Sequence, residues 1–179
     1  LGCSQEKSNP EIHFCDGEIK AFENKMPSLG LSAAARYHAA LIDCGAVSKE
    51  WPAGHWKLFL EGLSRRFPEQ PIVLVGINSK KLVNICAENH VEWISLVDKL
   101  SLRELCIFLR YCEFFVGADS GPTHMAAALG VPTLFLFSGT NDFGRWRPLE
   151  LNAHVLRNPV SCSPCYLNHC PVEGHPCMD

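Results

Sequence analysis

The distribution of polar and apolar positions changes character near residue 30. Residues 1–30 are polar, contain Pro10, Pro27 and Gly30, and hold no sustained hydrophobic period. That is the pattern of a connector from a preceding domain rather than of an element of a core. From Tyr37 apolar runs alternate with amphipathic stretches. Residues 37–43 read as a buried strand, followed to Glu50 by a loop containing Gly45. Pro52 suits the first turn of a helix in which Trp56, Phe59, Leu60, Leu63 and Phe67 recur at helical spacing until Pro68 stops it. Residues 71–76 form a short continuous apolar run, as in a strand covered on both faces; a second helix over 80–89 and a third strand over 91–97 follow.

Ser101 and Glu104 make a capping box ahead of Leu102, Leu105, Cys106 and Leu109, which predicts a third helix. Residues 113–117 read as strand four, 122–129 as a fourth helix closed by Gly130, and 131–137 as strand five. Parallel strands need crossovers, and an alternation of strand and helix supplies them with one hand. The expected fold is therefore α/β: a Rossmann-like parallel sheet flanked by helices. No Gly-x-Gly-x-x-Gly follows the first strand, which argues against a nicotinamide or flavin version.

Composition narrows the reading. At 179 residues and 47% hydrophobic, the chain suits one domain over 31–179 after the connector. A formal charge of −3 with scattered Lys and Arg gives no basic stripe, so nucleic acid is not an expected partner. The longest apolar run, 125–137, is broken by Gly130 and Pro132 and falls short of the roughly 20 residues that span a bilayer. The chain is expected not to be transmembrane. With no secretion signal at its start, it reads as cytoplasmic.

In an open parallel sheet, ligands gather beyond the carboxyl ends of the strands. The loop there after strand four is the richest: Gly117-Ala118-Asp119-Ser120-Gly121-Pro122-Thr123-His124. Gly121 would let a ligand approach the backbone, and the free N–H groups of the helix start would suit a phosphate. Asp119 would repel that phosphate, so it suits sugar hydroxyls or fixing the loop. Asp119 or Ser120 could equally be a simple N-cap, and a single His124 a structural histidine. After strand one, Gly45, Ser48 and Lys49 offer a flexible turn, a hydroxyl and a cation for a diphosphate, the alternative for Lys49 being a solvated surface residue. Asp142, Arg145, Trp146 and Arg147 in the loop 138–148 either contact a ligand or remain solvated.

Eight of the ten cysteines fall into two groups. Cys44, Cys86, Cys106 and Cys112 fall in apolar patterns, where the thiol is a small core hydrophobe. Cys162, Cys165, Cys170 and Cys177, with His169 and His175 among them, carry enough soft ligands for a tetrahedral zinc site. Their lengthening spacing favours disulfides or plain thiols over a metal.

Three segments are shared with a known family: Lys49-x-Trp51-Pro52 followed by Trp56, then Leu100-Ser101-Leu102, then the run from Asp119-Ser120-Gly121-Pro122-Thr123-His124 through Ala126-Ala127-Ala128-Leu129-Gly130 to Val131-Pro132-Thr133. From Tyr37 to its end the chain resembles the C-terminal domain of bacterial heptosyltransferases, glycosyltransferase family 9. The resemblance implies the C-terminal half of a GT-B enzyme, whose two Rossmann-like domains face a cleft. That half would hold a nucleotide-sugar donor, ADP-heptose, for inverting transfer to the inner core of lipopolysaccharide. Asp119 would bind the donor sugar, Ser120, Gly121 and Thr123 would surround the diphosphate with His124 nearby, and Lys49 would pair with the phosphates. Gly45 and Ser48 are further donor-binding candidates.

The acceptor base would belong to the N-terminal domain, so no catalytic residue is expected in this chain, and no cofactor or metal is required. Contact with the cytoplasmic face of the inner membrane would be peripheral. Two departures stand out. Asn78-Ser79-Lys80-Lys81 replaces the acidic residue that commonly holds the ribose, and Cys44-Gly45-Ala46 lacks paired hydroxyls near the phosphates. The competing readings are a non-catalytic nucleotide-sugar-binding module and a zinc-dependent interaction domain.

Overall fold

The computed structural model describes residues 10–77 and 91–179. The helix expected over 80–89 and the Asn78–Lys81 departure lie outside the described residues. β1 (Tyr37–Leu41) is buried along its whole length, as are the four residues of β2 (Ile72–Val75), because each has neighbours on both edges and layers on both faces. β3 (Trp93–Ser95), β4 (Cys112–Ala118), β5 (Thr133–Leu136) and β6 (Ala153–Leu156) complete a sheet of order β3-β2-β1-β4-β5-β6. Every pairing is parallel, with Leu41 in register with Val75 on one side and Gly117 on the other. This is the Rossmann order, and it reverses direction between β1 and β4.

Alternation along the strands sends side chains to two cores. Tyr37, Ala39, Leu41, Val73, Val75 and Phe115 face one side and pack with Phe108 and Leu109 of α3 (Leu102–Leu109) and with Ala126 of α4 (Gly121–Ala128). Ala40, Ile42, Ile72, Leu74 and Val116 face the other and pack with Trp56 and Leu60 of α2 (Ala53–Arg66). The expected capping box is present: the Ser101 Oγ accepts from the Glu104 N–H at 3.2 Å, and the Glu104 carboxylate accepts from the Ser101 N–H at 2.8 Å. α4 ends in a Schellman motif, with Gly130 at φ 81°, its N–H on the Ala127 carbonyl and the Val131 N–H on the Ala126 carbonyl.

Residues 16–29 correct the expectation of a connector outside the core. α1 (Asp16–Lys25), extended by a 3₁₀ turn over Met26–Leu29, buries Phe22 and Met26 almost completely in the first core. Polar links fix it there. Glu18 receives a two-pronged hydrogen bond from the Arg103 guanidinium, 2.8 Å on each side, which draws its carboxyl down to about 2. Lys25 meets Glu104 at 2.6 Å, and the Tyr111 hydroxyl donates to Glu23 at 2.8 Å. The sixth strand and the short α5 (Phe143–Trp146) were also not expected. Asp142 is the N-cap of α5, its carboxylate accepting the Gly144 N–H at 2.8 Å. Arg145 lies over Trp146.

Candidate functional site

The switch in strand order brings two distant loops together. The segment after β1 closes in a 3₁₀ turn, Val47–Lys49, and the segment after β4 enters α4. Across the gap the Lys49 Nζ donates to the Asp119 carbonyl at 3.0 Å and to its Oδ2 at 3.2 Å. Asp119 is 3% exposed. Its Oδ1 faces the His124 Nε2 at 3.1 Å, and its Oδ2 accepts the Asn141 amide at 2.7 Å. Burial alone would raise this carboxyl. The hydrogen bonds from His124 and Asn141 and the charge of Lys49 outweigh burial and hold it below its ordinary range. The result is an ionised acceptor at a strand end, ringed by donors.

The loop between them is open where a ligand would need it. Ser120 occupies the N-cap position of α4 without a side-chain capping bond; its hydroxyl lies 3.3 Å from the Ala118 carbonyl and 3.3 Å from the Thr123 Oγ1. Gly121 is exposed, and a Cβ there would meet nothing within 4 Å. No described protein atom demands a glycine at that place, and its bare backbone leaves the helix start open. The dipole there favours an anion. Gly45 is likewise exposed and unconstrained.

Two candidates face away from the gap. Thr123 is fully buried, and its hydroxyl donates to the Ala118 carbonyl at 2.7 Å. It ties the loop down from behind instead of offering its hydroxyl to a diphosphate. Ser48 is 1% exposed: its hydroxyl donates to the Leu167 carbonyl, its N–H to the Asn168 carbonyl at 2.9 Å, and its own carbonyl sits 3.0 Å from the His175 Nε2. Thr140 adds a hydroxyl contact to the Ser48 Oγ at 3.0 Å. Ser48 is thus an anchor for the C-terminal tail, and through it the tail braces Lys49.

That tail folds back onto the sheet. Cys177 and Met178 are buried in the second core, and Cys177 packs on Gly139, where a Cβ would come within 3.4 Å of its sulfur. Of the states left open for Cys162, Cys165, Cys170 and Cys177, the structure contains free thiols. Among the described residues, no group of three or more His, Cys, Asp and Glu is placed to hold a metal ion.

Beside the loop, a cavity of about 310 Å³ opens at the carboxyl ends of β1 and β2. Leu41, Val75, Leu96, Leu100 and Leu105 give it apolar walls, and Asp43, Gly45, Ser120 and Gly121 lie along its lining. Its size is at the lower end of the roughly 300 to 1,000 Å³ common for ligand pockets. It suits a flat ring system and its sugar, while charged groups would lie over the neighbouring helix start. Asn141, Asp43 and Thr140 are the polar residues of this region that sequence reasoning passed over. Asn141 and Thr140 lie in the loop after β5, where Asp142 and the arginines drew attention instead.

The model of the family described as glycosyltransferase family 9 (heptosyltransferase) matches residues 1–175. Lipooligosaccharide heptosyltransferase 2 of Campylobacter jejuni subsp. jejuni serotype O:2 is 26% identical over 157 residues, covering 84% of this chain and 46% of that protein. The chain spans about half the length of the curated relatives it matches. The solved structure of E. coli ADP-heptose lps heptosyltransferase II superposes with a TM-score of 0.73 at 21% identity, covering 93% of this chain and 53% of the other. E. coli heptosyltransferase WaaC with ADP gives 0.60 at 24% identity, covering 87% and 47%. At these identities the structures establish a shared fold, that of one half of a GT-B glycosyltransferase.

Proposed function

The chain belongs to glycosyltransferase family 9, and from that premise we propose that it is the donor-binding half of a two-domain enzyme. In this reading the enzyme transfers a sugar from a nucleoside diphosphate, ADP-heptose foremost, with inversion, to the lipopolysaccharide core. The observation that carries it is the Lys49–Asp119 pair, held at the switch point beside the unobstructed helix start at Gly121.

The chemistry follows from placement. The diphosphate would lie against the first N–H groups of α4, with the Lys49 ammonium, itself mostly buried, sharing its hydrogens between Asp119 and a phosphate oxygen. As the glycosidic bond breaks, charge grows on the leaving diphosphate, and a fixed cation and helix start stabilise it without reorganising. Asp119, kept ionised, would accept hydrogen bonds from the transferred sugar's hydroxyls. Residues of this chain supply donor binding and leaving-group stabilisation. A base on a second domain would take the acceptor proton, and no metal is called for. Such an enzyme would work in the cytoplasm at the inner membrane, where a lipid-linked acceptor is presented. Among the described residues, no helix is long and apolar enough to cross a membrane.

Calorimetric titration of the chain with ADP, UDP, GDP and ADP-heptose tests the proposal. ADP ligands are expected to bind preferentially, with Asp119→Ala and Lys49→Ala each weakening ADP-heptose by about 10-fold or more, the worth of a charge-assisted hydrogen bond. Folded protein that ignores every nucleotide, or variants that bind as well as the parent, would sink it.

A further inference from the structure

One carboxylate in the cavity beside the helix start has no role in the scheme above. Asp43 follows β1 and is 6% exposed, and its Oδ2 accepts the Ile77 N–H at 3.0 Å. Gly76 makes room for it: at φ 153° a Cβ there would lie 2.6 Å from the Asp43 Oδ1, so glycine and aspartate fit as a pair. Among the described residues that line the cavity, Asp43 is the only charged one, and five leucines with Val75 and Ile77 make up half of that lining. Accepting one backbone N–H does not need an acid, and a carboxylate has further acceptor capacity to offer the cavity it lines.

Position suggests which group would use it. Across the carboxyl edge of the sheet, the helix start lies beyond β4, Asp43 beyond β1, and the apolar end formed by Leu96 and Leu100 beyond β2 and β3. Adjacent strands are about 4.8 Å apart. A nucleotide with its diphosphate at the first place and its base at the last must lay its ribose over β1. We propose that Asp43 is a specificity-determining residue that accepts hydrogen bonds from the vicinal 2′- and 3′-hydroxyls of the donor's ribose. An acceptor-only carboxylate takes both protons of that diol. It is left partly unpaired by a deoxyribonucleotide and repels a 2′-phosphate.

This assignment rests on the donor-site reading, and the test separates the two. ADP, 2′-deoxy-ADP and 2′,3′-dideoxy-ADP are titrated into the parent chain and into Asp43→Asn, with thermal midpoints recorded for both proteins. The parent is expected to bind ADP about 10-fold or more tightly than the dideoxy analogue, with the 2′-deoxy analogue between them. In Asp43→Asn the affinity for ADP should fall toward that of the dideoxy analogue, whose own affinity changes by no more than about twofold, since it never met the carboxylate. The comparison within the parent requires no variant to fold. Equal affinity of the parent for all three nucleotides overturns the assignment and leaves the donor site standing; so does discrimination that Asp43→Asn preserves. A parent chain that binds no ADP overturns both.

Discussion

A Cβ added to Gly117 would sit 2.6 Å from the Thr123 Oγ1 and 3.0 Å from the Leu41 Cβ, whereas one added to Gly121 would meet nothing within 4 Å. Gly117→Ala should therefore push apart β4 and α4 and cost about 1 to 3 kcal/mol in denaturant unfolding. Gly121→Ala should leave stability within about 0.5 kcal/mol while weakening nucleotide binding, because the methyl group occupies ligand space only. His38 is a different residue-scale case. Its ring is buried edge-on to Phe67, at 4.8 Å between centroids, and its Nδ1 meets no partner among the described residues. Burial holds the imidazole below its ordinary value, against a smaller upward pull from Glu113. The unfolded chain takes up the proton as pH falls through about 6.5 and the folded chain resists, so stability declines below that pH. In His38→Leu the loss of unfolding midpoint between about pH 7.5 and 5.5 should shrink. The sequence offered Lys49 and Asp119 as donor-binding candidates beside a solvated lysine and a simple N-cap, and the fold brings the two into contact. The sequence could not separate Ser48 and Thr123 from ligand-facing hydroxyls, since a hydroxyl that braces a loop and one that faces a substrate read alike in one dimension.

At the scale of elements, strong periodicity translated directly. α2, α3 and α4 formed within a residue or two of their expected bounds, and the Ser101–Glu104 capping box was visible as two letters three positions apart. α1 was not visible, because only Phe22 of its ten residues is buried and one position carries no period. β6 escaped for a related reason: at the sheet edge its burial alternates between half-buried and exposed, without the apolar run of a central strand. If α1 is integral to the fold, Phe22→Ala should cost about 3 to 5 kcal/mol, as for other buried aromatics, measured as a fall in the unfolding midpoint with an unchanged transition slope. A value near zero would return residues 16–29 to the status of a connector.

At the scale of the molecule, strand order decides more than any motif. Lys49 and Asp119 are 70 positions apart in the chain and meet because the order reverses between β1 and β4. Alternating strands and helices predict a parallel sheet but not which loops become neighbours, so the pair was legible as two candidates and not as one contact. The same holds for the tail. Its cysteines stood out by composition, yet their placement depends on Leu167, Asn168 and His175 reaching Ser48, one residue before Lys49.

That clamp gives the protein a built-in chemical clock. Cys177 lies beneath the folded-back tail, while Cys162 stands in solvent, so an alkylating reagent should capture Cys162 within its free-thiol lifetime and Cys177 only when the tail lifts. Mass spectrometry of a timed alkylation reads the two rates from one sample. Because the tail holds Ser48, one residue before Lys49, ADP bound at Lys49 should hold the tail down, slowing the Cys177 reaction and leaving that of Cys162 unaltered. Equal slowing of both would mean that the reagent, and not the tail, is being watched.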